Sequence, residues 1–134
     1  ELAAKLAAEA TDSLDERELF DNLLARERLG STAIGHGVAI PHGRIAGHDK
    51  VVGVLMKLAD AIDFDAHDGQ AVDILFALFV PENQCQQHLD TLAELALLFA
   101  QPELLAQLRA CKDNLSLYET LQDWTMHHPA VATP

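Results

Sequence analysis

The chain alternates apolar stretches with polar breaks, and the period of the apolar positions changes along it. "ELAAKLAAEA" (1–10) places Leu2, Ala3, Leu6, Ala7 and Ala10 on one helical face. Ser13 and Glu16 have the S-x-x-E spacing of a capping box. A second helix is therefore expected, with Leu19, Phe20, Leu23 and Leu24 as its buried stripe and an end near Arg28. "LGSTAIGHG" (29–37) is rich in Gly, Ser and Thr and reads as a loop. "VAI" (38–40) is a short extended run, and Pro41 biases Ile40 toward extended geometry.

"KVVGVLMKL" (50–58) and "VDILFALFV" (72–80) are nearly continuous apolar runs of strand length. That pattern predicts strands buried on both faces and covered by helices. "DFDAHDGQ" (63–70) is a polar turn around Asp68-Gly69, and "PEN" (81–83) closes the second long strand. A long helix is expected from about Gln86 to Ala100, with Leu89, Leu92, Leu95, Ala96 and Phe99 at helical spacing. Pro102 breaks it and can open the next helix. "ELLAQLRA" (103–110) and "SLYETLQDW" (116–124) read as two more short helices. The stretch 127–134, "HHPAVATP", has no apolar periodicity and is expected to be a flexible tail. Helices before, between and after buried strands predict an α/β layered fold, with one domain over residues 1–126.

The 134 residues suit a single sizeable core. Only 5% are aromatic, so that core must be mainly aliphatic. The net charge of −12 makes nucleic acid and anionic membrane surfaces poor partners and would steer a basic protein toward the surface. Cys85 and Cys111 lie far apart with no CxxC, so no disulfide framework is expected and a cytoplasmic location fits. No signal peptide is visible, and no apolar run approaches the ~20 residues of a membrane span. The chain starts at Glu1 already in a helical pattern, and it reads as a trimmed form with an N-terminal segment expected before it.

Two histidines stand out by position. His42 follows the short strand and His88 follows the long one, in the first turn of the long helix. Strand carboxyl ends are where open α/β sheets gather ligands. Pro41 stiffens the backbone before His42, while Gly43 allows a sharp turn that exposes N–H groups after it. Arg26 and Arg44 are candidate anion holders, because a guanidinium matches phosphate oxygens in a bidentate fork. For Arg44 a solvated loop cation is the simpler reading. Arg26 has the uncharged Asn22 one turn back, so no i,i−4 ion pair accounts for it. Ser31 and Thr32 could add hydroxyl donors. Histidine, arginine, hydroxyls and a helix N-terminus together suggest phosphate.

Other chemistries fit less well. His36, His42 and His48 recur at a spacing that matches no common metal site, and neither HExxH nor CxxC occurs. GxSxG is absent, and "GSTAIGHG" lacks the lysine of a P-loop. Asp63, Asp65 and Asp68 read as a solvated turn. No metal and no cofactor is expected.

"ARERLGSTAIGHGVAIPHG" (25–43) resembles the active-site signature of enzyme IIA of the fructose/mannitol class in the bacterial phosphoenolpyruvate-dependent phosphotransferase system. "FDAHDGQAVDILFALFVPENQCQQHLDTLAELA" (64–96) resembles the second half of that domain. The nitrogen-related enzyme IIA is the most similar subclass, and the likeness spans residues 15 to 124. It implies a three-layer α/β/α sandwich with a mixed central sheet. It also implies that His42 is the phosphorylated nucleophile, attacking through Nε2 with its other ring nitrogen on a backbone carbonyl. His88 would support the phosphoryl group, Arg26 would stabilise its charge, and Ser31 and Thr32 would border the site. The implied donor is a histidine-containing phosphocarrier protein. The implied output is regulation of partner proteins such as potassium transport proteins or sensor kinases. The alternative is a sugar-transport enzyme IIA that passes phosphate to a separate enzyme IIB. A binding module without phosphorylation is disfavoured by the presence of His42, His88 and Arg26 together.

Overall fold

A computed structural model of the chain describes residues 15–45, 51–82 and 85–127, together with Leu6 and Ala8. Leu6 and Ala8 are helical, and the rest of the first expected helix lies outside the described residues. Helix α1 runs from Glu16 to Leu29. Its N-cap is Asp15, whose carboxylate accepts from the Arg17 N–H at 3.3 Å. Glu16 is therefore the first helical residue. The expected capping box needed it in the third position, and Ser13 lies outside the described residues. Leu19 and Leu23 are the buried stripe, and Phe20 is half-buried. Leu24 was expected with them but sits at the stripe's flank, 36% exposed.

Among the described residues, five strands form one mixed sheet: β1 Ala33–Gly35, β2 Val38–Ala39, β3 His42–Ile45, β4 Val52–Ile62 and β5 Val72–Pro81. The expected loop over 29–37 is instead largely the first arm and turn of a hairpin, with β1 antiparallel to β2. His36 (φ 60°) and Gly37 (φ 77°) form its two-residue turn. Positive φ at both central residues is what a primed hairpin turn requires, and histidine tolerates the left-handed region better than most residues.

β5 is central. It pairs in parallel with β2 and β3 and antiparallel with β4. Val38 faces Ile74, and His42 faces Leu78, so the register does not slip between β2 and β3. They are one extended segment interrupted at Ile40–Pro41. Proline has no N–H to give the ladder, yet its carbonyl still accepts from Leu78 N–H at 2.9 Å.

β5 is buried along nearly its whole length on both faces, as its unbroken apolar run predicts. β4 is not. It is half-buried up to Leu58 and exposed from Ala59 to Ile62, with a register shift between Lys57 and Ile62. The two runs look alike in sequence, but β4 has β5 as its one ladder partner among the described residues.

One apolar cluster joins α1 to the sheet: Leu19 and Leu23 against Ile45, Ala77 and Phe79, with Ala8 packed at its margin. A second gathers Ala39, Val72 and Leu75 beneath Ala33, Leu58 and Phe64.

The chain falls into two compact units, Glu1–His88 and Leu89–Pro134. The second contains most of helix α2 (Cys85–Leu98), then α3 (Pro102–Ala110) and α4 (Asn114–His127). Pro102 is at the first turn of α3, as expected. Leu98, Phe99, Leu104, Leu105, Leu108 and Leu117 are buried there. Leu89, expected in the stripe of α2, lies at its flank and is 56% exposed. α4 is longer than its apolar pattern predicts, because Asp113 caps it by accepting from the Ser116 N–H at 2.7 Å. His127 ends α4, and the rest of the expected tail lies outside the described residues. No helix among the described residues is long and apolar enough to cross a membrane.

Candidate active site

His42 was expected in a turn at the carboxyl end of a strand. It lies instead inside the sheet, as the first residue of β3, half-buried and opposite Leu78. Gly43 makes no turn either. A Cβ there would come within 3.2 Å of Asn22 Cβ and 3.6 Å of the Leu23 nitrogen. Glycine is needed because α1 lies almost directly on the strand at that point. Asn22 sits over Gly43, so Arg26, one turn further along α1, arrives at His42.

Both ring nitrogens of His42 are engaged. Nδ1 is 3.1 Å from the Ile40 carbonyl oxygen. Arg26 Nε donates to Nε2 at 3.2 Å. A guanidinium N–H can only donate, so Nε2 must be the acceptor and Nδ1 must carry the proton. The neutral imidazole is therefore held as the Nδ1–H tautomer, with its lone pair on Nε2 facing a cation. Arg26 is fixed at its other end, because Nη1 donates to the Gly30 carbonyl at 2.9 Å. That contact also satisfies a carbonyl at the helix C-terminus, where a cation suits the helix dipole.

The hairpin holds this arrangement from the far side. Thr32 C=O accepts from Ile40 N–H at 3.1 Å, extending the β1–β2 ladder toward His42. Ser31 and Thr32, expected at the phosphate, have their hydroxyls engaged within the protein. Ser31 Oγ donates to the Phe64 carbonyl and accepts from Ala33 N–H. Thr32 is buried, and its Oγ1 donates to Glu27 Oε1. Arg44 is exposed, two residues along β3 from His42 and so on the same strand face. The backbone of His88 is in the first turn of α2, as expected; its side chain lies outside the described residues.

Asp68, in sequence a solvated turn residue, does more in the structure. Its Oδ2 accepts from His36 N–H at 3.0 Å, and its Oδ1 from Gln70 N–H at 3.1 Å. It thereby pins the hairpin turn to the 63–70 loop. Hydrogen bonds from the Gln70 and His36 backbone hold its carboxyl below the usual aspartate value. An aspartate beside glycine signals a turn in sequence, but nothing local signals a partner more than thirty residues away.

Residues 1–124 match the family of the phosphoenolpyruvate-dependent sugar phosphotransferase system, EIIA 2. The chain belongs to that family. It is 46% identical over 121 residues to a nitrogen regulatory protein of Bradyrhizobium diazoefficiens, covering 90% of this chain and 78% of the relative. The crystal structure of nitrogen regulatory protein IIA-Ntr from Neisseria meningitidis matches with a TM-score of 0.77 at 40% identity, covering 87% of this chain and 78% of that one. The crystal structure of IIA mannitol from Escherichia coli matches with a TM-score of 0.70 at 18% identity, covering 90% and 84% respectively. The last shows likeness of fold alone. The α/β fold with a mixed sheet and the nitrogen-regulatory resemblance both stand.

Proposed function

We propose that this EIIA domain is a phosphocarrier. His42 accepts a phosphoryl group from a histidine-phosphorylated carrier protein, and the two phosphorylation states are read by regulatory partners. The observation that carries this reading is the state of the His42 ring: Nδ1 protonated against Ile40, and Nε2 unprotonated, its lone pair accepting from Arg26 Nε at 3.2 Å. In the transfer, the donor's P–N bond breaks, its electrons return to the donor imidazole, and a P–Nε2 bond forms. Nε2 carries no proton, so none has to leave; the Arg26 Nε–H that it accepts from must turn from Nε2 to a phosphoryl oxygen as the bond forms. Transfer of this kind depends on positioning and on stabilising charge spread over the phosphoryl oxygens. Arg26 supplies the cation, and His88 is the expected second support.

The regulatory role is preferred to sugar transport because identity is 46% to a nitrogen regulatory protein, against 31% to a 2-O-alpha-mannosyl-D-glycerate-specific EIIABC component of Escherichia coli. Potassium transport proteins and sensor kinases are the partner classes to test first. Phosphorylation would add roughly two negative charges to an already acidic molecule and so exclude or recruit such a partner. A cytoplasmic location accords with this role.

Intact-mass spectrometry after incubation with phosphoenolpyruvate, enzyme I and the histidine carrier tests the reading. One acid-labile phosphate is expected on the parent, none on His42→Ala, and slowed labelling on His88→Ala. No phosphate on the parent with any carrier would reject the transfer mechanism. Onward transfer to a sugar-specific enzyme IIB would favour the alternative role.

A further inference from the structure

Thr32 occupies an unusual place relative to His42. It is 7% exposed, yet it is polar and touches neither ring nitrogen. Its hydroxyl donates to Glu27, the helix residue that follows Arg26. Its carbonyl accepts from Ile40, the residue whose own carbonyl receives the His42 Nδ1 proton. Thr32 is thus linked through its side chain to the neighbour of Arg26 and through its main chain to Ile40. The Glu27 carbonyl also receives Gly30 N–H at 3.1 Å, so the same helix turn is anchored twice.

We infer that Thr32 and Glu27 form a positioning pair. They set the distance between the Arg26 guanidinium and His42 Nε2, and they hold Ile40 where it selects the Nδ1–H tautomer. Thr32 acts through other residues and does not itself bind the phosphate. The geometry requires this order of contacts. Without the hydroxyl, this cross-link between the last turn of α1 and the hairpin is lost, and Arg26 and Ile40 lose a shared restraint. Displacements of about 1 Å in such an arrangement lower rates by up to about 10²-fold.

The inference rests on the phosphocarrier reading for its rate, but not for its tautomer. ¹⁵N NMR of His42 in the unphosphorylated protein is the first readout, and phosphate uptake from the loaded carrier is the second. Thr32→Val, which keeps shape and removes the hydroxyl, is expected to lower the Nδ1–H population and slow uptake about 10- to 100-fold. Thr32→Ser is expected to recover most of that loss. Glu27→Ala at a half-buried position should reproduce the Thr32→Val behaviour, and Glu27→Gln, which keeps an acceptor, should recover most of it. Should Thr32→Val fail to fold, the Glu27 pair carries the same test. A parental tautomer in both Thr32→Val and Glu27→Ala overturns the inference. If uptake slows while the tautomer is unchanged, the role in holding Ile40 and the tautomer is rejected. If the parent takes no phosphate at all, the functional proposal fails, while the tautomer still decides the role of Thr32.

Discussion

His42 and Arg26 show how a single tautomer is selected from ordinary parts. A histidine side chain in water exchanges tautomers freely, and here two fixed contacts leave one available. Arg26 is held by Gly30 on one side and by His42 on the other. Arg26→Ala is expected to slow phosphate uptake by about 10² to 10³, because a preorganised donor to the developing charge is lost. Arg26→Lys should recover little, since an ammonium cannot serve both Gly30 and Nε2 from fixed, divergent directions. Single-turnover transfer from the loaded carrier measures both, and a parental rate in Arg26→Ala would remove Arg26 from the mechanism. Asp68 has a pH signature of its own. Its folded-state pKa is depressed, so its contribution to stability is full above the ordinary value of 3.8 and is lost as pH falls through the lower folded value. The exchange protection of His36 N–H, relative to the intrinsic rate at each pH, should therefore fall in that acid window, and Asp68→Asn should flatten the change.

The close approach of α1 to β3 decides where Arg26 lands. Gly43→Ala places a methyl 3.2 Å from Asn22 Cβ, which the helix can relieve only by moving away. Overpacking of this kind costs about 1–3 kcal/mol, and the lifted helix should carry Arg26 away from His42. A denaturant melt and the transfer rate should fall together, and an unchanged melt would show that α1 has room to spare. The strands teach a related lesson. The 50–58 and 72–80 runs share one pattern, yet β5 is the buried centre and β4 is half-exposed. Local periodicity could not separate them, because burial depends on how many ladders a strand joins. Likewise the 29–37 stretch looked like a loop, since His36-Gly37 departs from the asparagine–glycine and aspartate–glycine pairs that announce a primed turn.

Taken over its full length, the chain is strongly acidic, with 21 acidic and nine basic residues. A basic carrier should therefore associate quickly at low ionic strength and more slowly as salt screens the field. Stopped-flow association across a salt series measures this, and an on-rate insensitive to salt would show that the surplus charge lies away from the docking surface. The Phe79 ring is fully buried where α1 meets the sheet. Phe79→Ala should lower stability by about 3–5 kcal/mol in a chemical melt and disturb His42 less directly than Gly43→Ala does.

Several features were legible without coordinates because their causes are local. Pro102 opens a helix, the apolar run at 72–80 makes a buried strand, and Pro41 interrupts an extended segment next to His42. The resemblance around His42 and Arg26 pointed to both residues, and the uncharged Asn22 one turn back gives Arg26 no ion-pair partner there. The tertiary structure alone decided what those residues touch. Ile40 as the holder of the Nδ1 proton, Glu27 as the partner of Thr32, and Asp68 as the pin of the hairpin all depend on segments brought together by folding. Gly43 belongs with them: its neighbours in sequence suggested a turn, and its neighbour in space is a helix. Hydrogen bonds and close packing act over a few ångströms whatever the separation along the chain, so a pattern read along the chain finds the groups but not their pairing.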